Sequence, residues 1–178
     1  MATLAARIDA LAAAIRTKCN ALSARIDGLS AGSDPWAWVK LSADRTNSTV
    51  TLAAATDLSF TAAANTTYLV EMRGAFTAAA ATTGIAIALD IPSGSIVGSF
   101  DHPISATAGG QGEQIADNAT TGATTGVRAA ATNVPLAGWW IVAVGATGGT
   151  VQVTFRSEIA ASAVVLKAGL TVLGRRII

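Results

Sequence analysis

The stretch YLVEMRGAF, residues 68–76, decides the fold. Tyr68, Val70, Met72, Gly74 and Phe76 alternate with Leu69, Glu71, Arg73 and Ala75. A period of two places successive side chains on opposite faces of a strand. The pattern returns downstream. Ile85, Ile87, Leu89 and Ile91 alternate with Ala86, Ala88 and Asp90, and Val151, Val153 and Phe155 alternate with Gln152, Thr154 and Arg156. Each set gives one branched or aromatic row and one small or polar row. Further strands are expected near 36–41, 48–54, 95–100, 127–133, 138–145, 163–167 and 170–177. Gly148-Gly149 lies between two such runs and reads as a hairpin turn. Residues 105–125 contain TAGGQGEQ and NATTGATTG and few large apolar groups. They read as one long loop, or two loops around a weak strand, serving either as a binding tip or as a plain connection. Roughly eight to ten short strands without a second helical pattern imply an antiparallel β-sandwich or jelly-roll head.

Upstream the period changes. Leu4, Ile8, Leu11, Ile15, Cys19, Leu22, Ile26 and Leu29 follow one another in steps of 4 and 3, with an extra 4 between Ile15 and Cys19. This is a coiled-coil seam carrying one stutter, and these eight residues are the expected oligomerisation site. RIDAL (7–11) recurs as RIDGL (25–29), and Ala fills most flanking positions. A helix is expected over 2–29, ended by Gly28, Gly32 and Pro35. The chain therefore divides into a stalk, 1–32, and a head, 33–178. Ile at a with Leu at d leans toward dimers. Arg-apolar-x-x-apolar at Arg7–Leu11 and Arg25–Leu29 resembles part of a trimer-specifying motif, although Ala12 and Ser30 stand where its acidic residue belongs. A homotrimer is the expectation, and a helix folded back on its own domain is the alternative.

Composition limits the chemistry. The 178 residues suit one domain plus a short accessory element. Hydrophobic residues make up 51%, yet aromatics are 5% and charged residues 13%; there are 40 Ala, 22 Thr and 17 Gly. Small side chains bury little area each, so β hydrogen bonding or association must supply stability. Twelve Lys and Arg against 11 Asp and Glu leave +1, which argues against nucleic acid as a partner. Arg7, Asp9, Arg16 and Lys18 interrupt any signal peptide, and PLAGWWIVAVGA (135–146) is too short to span a bilayer, so a soluble chain without a membrane partner is expected. Cys19 excludes an intrachain disulfide, being the one cysteine.

No residue pattern signals an enzyme, a metal or a cofactor. Asp101-His102 is the one acid–His pair, and no nucleophile motif accompanies it. Glu71, Asp90 and Glu158 are scattered, and GGQGEQ lacks the ending of a phosphate loop. The sequons at Asn47, Asn65 and Asn118 matter only in a secretory pathway. Trp36, Trp38, Trp139 and Trp140 are expected in a core or subunit interface, or stacked on sugars. Adjacent Trp139 and Trp140 face opposite ways, one inward and one toward a neighbouring chain. Arg175 and Arg176 are expected in salt bridges.

The head resembles a family of bacteriophage virion proteins found among tail-fibre, head-fibre and related minor structural genes. The resemblance rests on WVKLSADRTNSTVTLAAATDLSFTAAANTTYLVEMRGAFTAAAATTGIAIAL (38–89), DNATTGATTGV (117–127) and VQVTFRSEIAASAVVLKAGLTVLGRRI (151–177). Leu170 stands where comparable proteins often have Ser after Lys-Ala-Gly. The resemblance implies a non-enzymatic virion component, assembled in the host cytoplasm, with a coiled-coil stalk and a β head. It further implies a homotrimer, without placing it on the particle. The expected role is a short fibre or spike on the head or tail that contacts other virion proteins (capsid, tail or portal-proximal). A host-surface glycan is a further expected partner. A capsid-decorating trimer and a carbohydrate-binding adhesin are the alternatives.

Overall fold

The computed structural model describes residues 3–32, 36–105, 107–119 and 123–177, apart from the side chains of 5 and 24–32. The chain divides into two units, Met1–Asp34 and Pro35–Ile178. The first is one helix, α1 (Leu4–Gly32). Thr3 caps it: its hydroxyl accepts from the Ala6 amide at 3.3 Å. The helix passes through Gly28 and extends three residues beyond the expected end at 29. The first turn holds no acidic residue and the last no basic one, so neither end complements the helix dipole.

The second unit is built of antiparallel sheets. Its strands are β1 (Trp36–Lys40), β2 (Arg45–Asn47), β3 (Ala53–Ala62), β4 (Thr67–Ala78), β5 (Ile85–Asp90) and β6 (Gly94–Pro103). They continue as β7 (Gly109–Gln114), β8 (Val134–Val144), β9 (Gly149–Ser157), β10 (Val164–Leu166) and β11 (Thr171–Arg176). The larger sheet runs β1-β11-β4-β8-β6-β7, with β10 joining β4 to β2. The smaller runs β3-β9-β5. The two sheets share one core, in which Val70, Met72, Phe100 and Trp140 of the larger meet Leu58, Ile87, Val153 and Phe155 of the smaller.

Alternation in 68–76 sorts the faces as expected. Tyr68, Val70, Met72 and Phe76 are buried, while Leu69, Glu71 and Ala75 are partly covered and Arg73 is exposed. Trp140 is fully buried, between two glycines. A Cβ on Gly98 or Gly138 would lie 2.4 or 2.5 Å from the indole, so the ring needs both positions bare. The indole Nε1 has no acceptor among the described residues, which makes Trp140 a packing residue despite its polar atom.

Several expectations are corrected. Residues 48–54 do not form one strand: β2 ends at Asn47 and β3 begins at Ala53. Asn47 forces the break, its buried amide donating to the Thr51 and Phe155 carbonyls at 3.0 and 2.8 Å and accepting from the Thr49 amide at 2.8 Å. Residues 127–133 turn rather than extend, with Ala131 at φ 53°. Gly148-Gly149 is not a hairpin turn, because β8 and β9 belong to different sheets. Gly148 is there for close approach: a Cβ would stand 2.7 Å from the Ala64 nitrogen. Arg175 lies over the Trp36 ring, 5.4 Å from its centroid, a cation–π contact in place of the expected salt bridge.

The 105–125 region contains β7, paired with β6 from Gly98↔Gln114 to Pro103↔Gly109. The end of β7 and the segment after it close an edge. β5 is the last strand of the smaller sheet and would leave backbone groups unpaired. The buried Gln114 amide accepts from Leu89 N at 2.8 Å and donates to Leu89 O at 2.6 Å. Asp117 accepts from Ile91 N at 2.8 Å, and the Thr124 hydroxyl accepts from Ile85 N at 2.9 Å and donates to Ile85 O at 3.0 Å. Side chains, with the Asn118 and Thr124 backbone amides donating to Leu89 O and Ile85 O at 3.0 Å each, thus stand in for the missing neighbour strand. Replacing Gln114 with Leu strands the Leu89 N–H, at about 1–3 kcal/mol for the orphaned group, while the Leu89 carbonyl keeps the Asn118 amide at 3.0 Å. Chemical denaturation of Gln114→Leu is expected to show a loss of about 1–3 kcal/mol relative to the wild type, and an unchanged midpoint would refute the edge-closing role.

Candidate functional site

The residues expected to mediate oligomerisation lie along α1. At about 100° per residue, positions 4, 8, 11, 15, 19, 22, 26 and 29 fall within a stripe roughly 80° wide. Leu4, Ile8, Leu11, Ile15 and Leu22 are each more than half exposed, and Cys19 is exposed. The Ile26 and Leu29 side chains lie outside the described residues. A lone helix cannot bury its own stripe, and these side chains are covered only when another surface meets them.

The head holds a second such feature. Register across the larger sheet aligns Trp38 with Leu173, Leu173 with Glu71, Glu71 with Trp139, Trp139 with Ser99 and Ser99 with Glu113. One row of side chains therefore crosses six strands on the outward face. The row beside it carries Trp36, Arg175, Leu69, Ile141 and Val97. Trp38 is 65% exposed and Trp139 49%. Trp139 also walls a shallow hollow of about 220 Å³ with Val97, Ser99, Gln111, Glu113 and Ile115. Only the inward position of Trp140 and the outward position of Trp139 are settled within one chain.

The acid–His pair is divided by strand alternation. Asp101 points outward and is exposed, whereas His102 points inward and is buried. The imidazole stacks edge-on against Phe76 at 4.8 Å, and its Nε2 lies 2.7 Å from the Thr124 hydroxyl. That hydroxyl donates to Ile85 O, so the remaining contact is satisfied by Nε2–H donating to it. Nδ1 then faces the Pro103 carbonyl at 3.3 Å and gains a hydrogen bond there only when protonated. Loss of water outweighs that hydrogen bond and the nearby Asp101 charge, and holds the His102 pKa below its ordinary value.

The carboxylates are likewise tied to structure. Glu158 accepts from the Gly84 amide at 2.9 Å. Asp90 has its pKa pushed up, first by loss of water and then by the Asp117 charge, while Asp117 itself holds the Ile91 amide. Glu71 lies on the outward face of the larger sheet, apart from both. Among the described residues no three His, Cys, Asp or Glu side chains gather to hold a metal ion. No described helix is long and apolar enough to cross a membrane. Of the sequon residues, Asn47 is buried and Asn118 accepts from the Thr154 hydroxyl at 2.8 Å. No protein-family model matches the chain, and comparison with curated proteins finds no match.

His102 makes stability depend on pH. With the folded pKa below the unfolded value near 6.5, the unfolded chain binds more protons as the medium is acidified. The contribution is fully present above pH 6.5 and is lost as pH falls toward the folded value. Denaturation of the wild type between pH 8 and pH 5 is expected to show this loss, at most about 1.4 kcal/mol per pH unit from one group. His102→Gln should flatten that segment, and parallel pH profiles for the two proteins would contradict it.

Proposed function

We propose that the chain is a non-enzymatic structural protein of a bacteriophage particle. In this reading α1 self-associates as a three-stranded coiled coil, and each copy carries a sandwich head, so that the assembly forms a short fibre or spike. It is built in the host cytoplasm and attaches to other virion proteins of the capsid, tail or portal region. The observation that carries the reading is the exposed 4-3 stripe of Leu4, Ile8, Leu11, Ile15 and Leu22. A helix roughly 44 Å long at 1.5 Å per residue, with no charge at either end to favour it, is not stable alone. The sequence resemblance over 38–89, 117–127 and 151–177 adds the virion context.

Non-enzymatic character is supported by the head's polar groups. Several of them are spent on backbone, Gln114 on Leu89, Thr124 on Ile85 and Glu158 on Gly84, while Glu71 and Asp101 lie apart on the outward face. A capsid-decorating trimer uses the same stalk and differs in where it sits, which labelling of particles with head-directed antibody fragments distinguishes.

Light scattering on the full chain at micromolar concentration is expected to give three times the chain mass. The double variant Ile15→Asp, Leu22→Asp places charges on the seam and is expected to scatter as a single chain, or to lose at least tenfold in association, since each buried unpaired charge costs several kcal/mol. A wild-type mass of one chain would sink the proposal, and a mass of two would correct its stoichiometry.

A further inference from the structure

The outward face of the larger sheet has no covering layer among the described residues of the head, yet its strands read as if it had one. GWWIVAV (138–144) is apolar at every position, and YLVEM (68–72) at every position but Glu71. Strands apolar on both faces belong to sheets covered on both sides. Among the described residues of the head, the exposed large hydrophobics are Trp36, Trp38, Val97, Ile115, Trp139 and Ile177, together with Val50 and Ile159. The first six share this face. Trp36, Trp38, Val97 and Trp139 are placed there by register, Ile115 by the hollow it shares with Trp139, and Ile177, two residues on from Arg175, by the hydrogen bond its N–H donates to the Thr67 carbonyl. Concentration of this kind marks an interaction surface rather than the usual scatter of exposed apolar groups.

Charge on the face is divided between its two halves. The β1–β11 side carries Lys40 and Arg175, and the β6–β7 side carries Asp101 and Glu113, with Glu71 and Arg73 on β4 between them. We infer that this face is the contact between heads: the cationic half of one copy packs against the anionic half of the next, with the indoles and aliphatic side chains buried between them. The inference rests on the self-associating reading above. Unlike halves can meet about a twofold axis, where both halves touch the same neighbour, or about a threefold axis, where each half touches a different one. The three-stranded reading of α1 selects the threefold form, and a face carrying both signs serves it.

Five strand spacings give about 24 Å across, and six residues along β6 give about 20 Å. That is a footprint on the order of 500 Å² per head, so each contact between two heads takes about 500 Å², less than a free-standing specific interface buries. The contact between heads therefore depends on α1 to hold the copies together. A glycan fits the face less well. Sugar sites pair an aromatic plane with a few converging polar groups. The hollow beside Trp139 has Ser99, Gln111 and Glu113 in that role, but the rest of the face, with Val97, Ile141, Leu69 and Ile177, offers a sugar ring no such partner.

The test uses tryptophan fluorescence of the full chain with acrylamide as quencher. Trp140 is buried in every case, so the signal reports Trp36, Trp38 and Trp139. The assembled wild type is expected to resist quenching, and Ile15→Asp, Leu22→Asp to quench several-fold more readily. Asp101→Lys, Glu113→Lys is expected to keep the assembled mass through α1 while its indoles open to the quencher. Adding Lys40→Glu and Arg175→Glu is expected to restore protection. An assembled wild type whose indoles quench as freely as those of the seam variant overturns this inference and leaves the stalk reading standing. A monomeric wild type overturns both. Indoles open in the assembly but shielded by added oligosaccharide would assign the face to a glycan and overturn the contact between heads.

Discussion

A β-sheet has two faces, and one short chain of small side chains can cover only one of them. That constraint shapes the molecule. The smaller sheet, three strands wide, covers the inward face of the larger and completes a core that includes Trp140, Phe76, Phe100 and Phe155. Among the described residues of the head, nothing is left to cover the outward face, where Trp38 and Trp139 stand. The same arithmetic applies to α1, whose Leu and Ile stripe has no second helix among the described residues. With 40 Ala and 17 Gly, the chain has little area to spare, so apolar surface in these two places is a large share of its total.

Within the head, polar side chains replace missing strands. Gln114, Thr124 and Asp117 hydrogen-bond the outer edge of β5, and the buried Asn47 holds the turn between β2 and β3. An edge capped in this way resists pairing with another chain edge to edge. In the proposed assembly, association is thereby directed to faces, where side chains specify the partner, and away from backbone edges, where they do not.

Much of the architecture was legible because it rests on periodicity. The 68–76, 85–91 and 151–156 runs form β4, β5 and β9, and the 4-3 stripe lies on one helix. The opposite orientations of Trp139 and Trp140 come from alternation alone. What escaped lacks periodicity or depends on distant partners. β3 reads AAATDLSFTA, with only Leu58 and Phe60 to mark it and an irregular register between Ala54 and Ser59. The β8–β9 crossover was hidden because two alternating runs around Gly148-Gly149 look alike whether they pair or enter different sheets. The edge-closing role of Gln114 depends on Leu89, 25 residues away, and no local pattern announces it. The outward row was invisible for a related reason: Trp38, Glu71 and Trp139 become neighbours only through strand register.

If uncovered apolar surface is what the fold is organised around, folding and association are one equilibrium. Thermal unfolding tracked by circular dichroism at 222 nm, over a roughly hundredfold range of chain concentration, reads this directly, because a species stabilised by its own copies melts at a temperature that rises with concentration. The account requires the midpoint to climb steadily across that range. A midpoint that stays fixed would mean that each chain is complete by itself, and would contradict it.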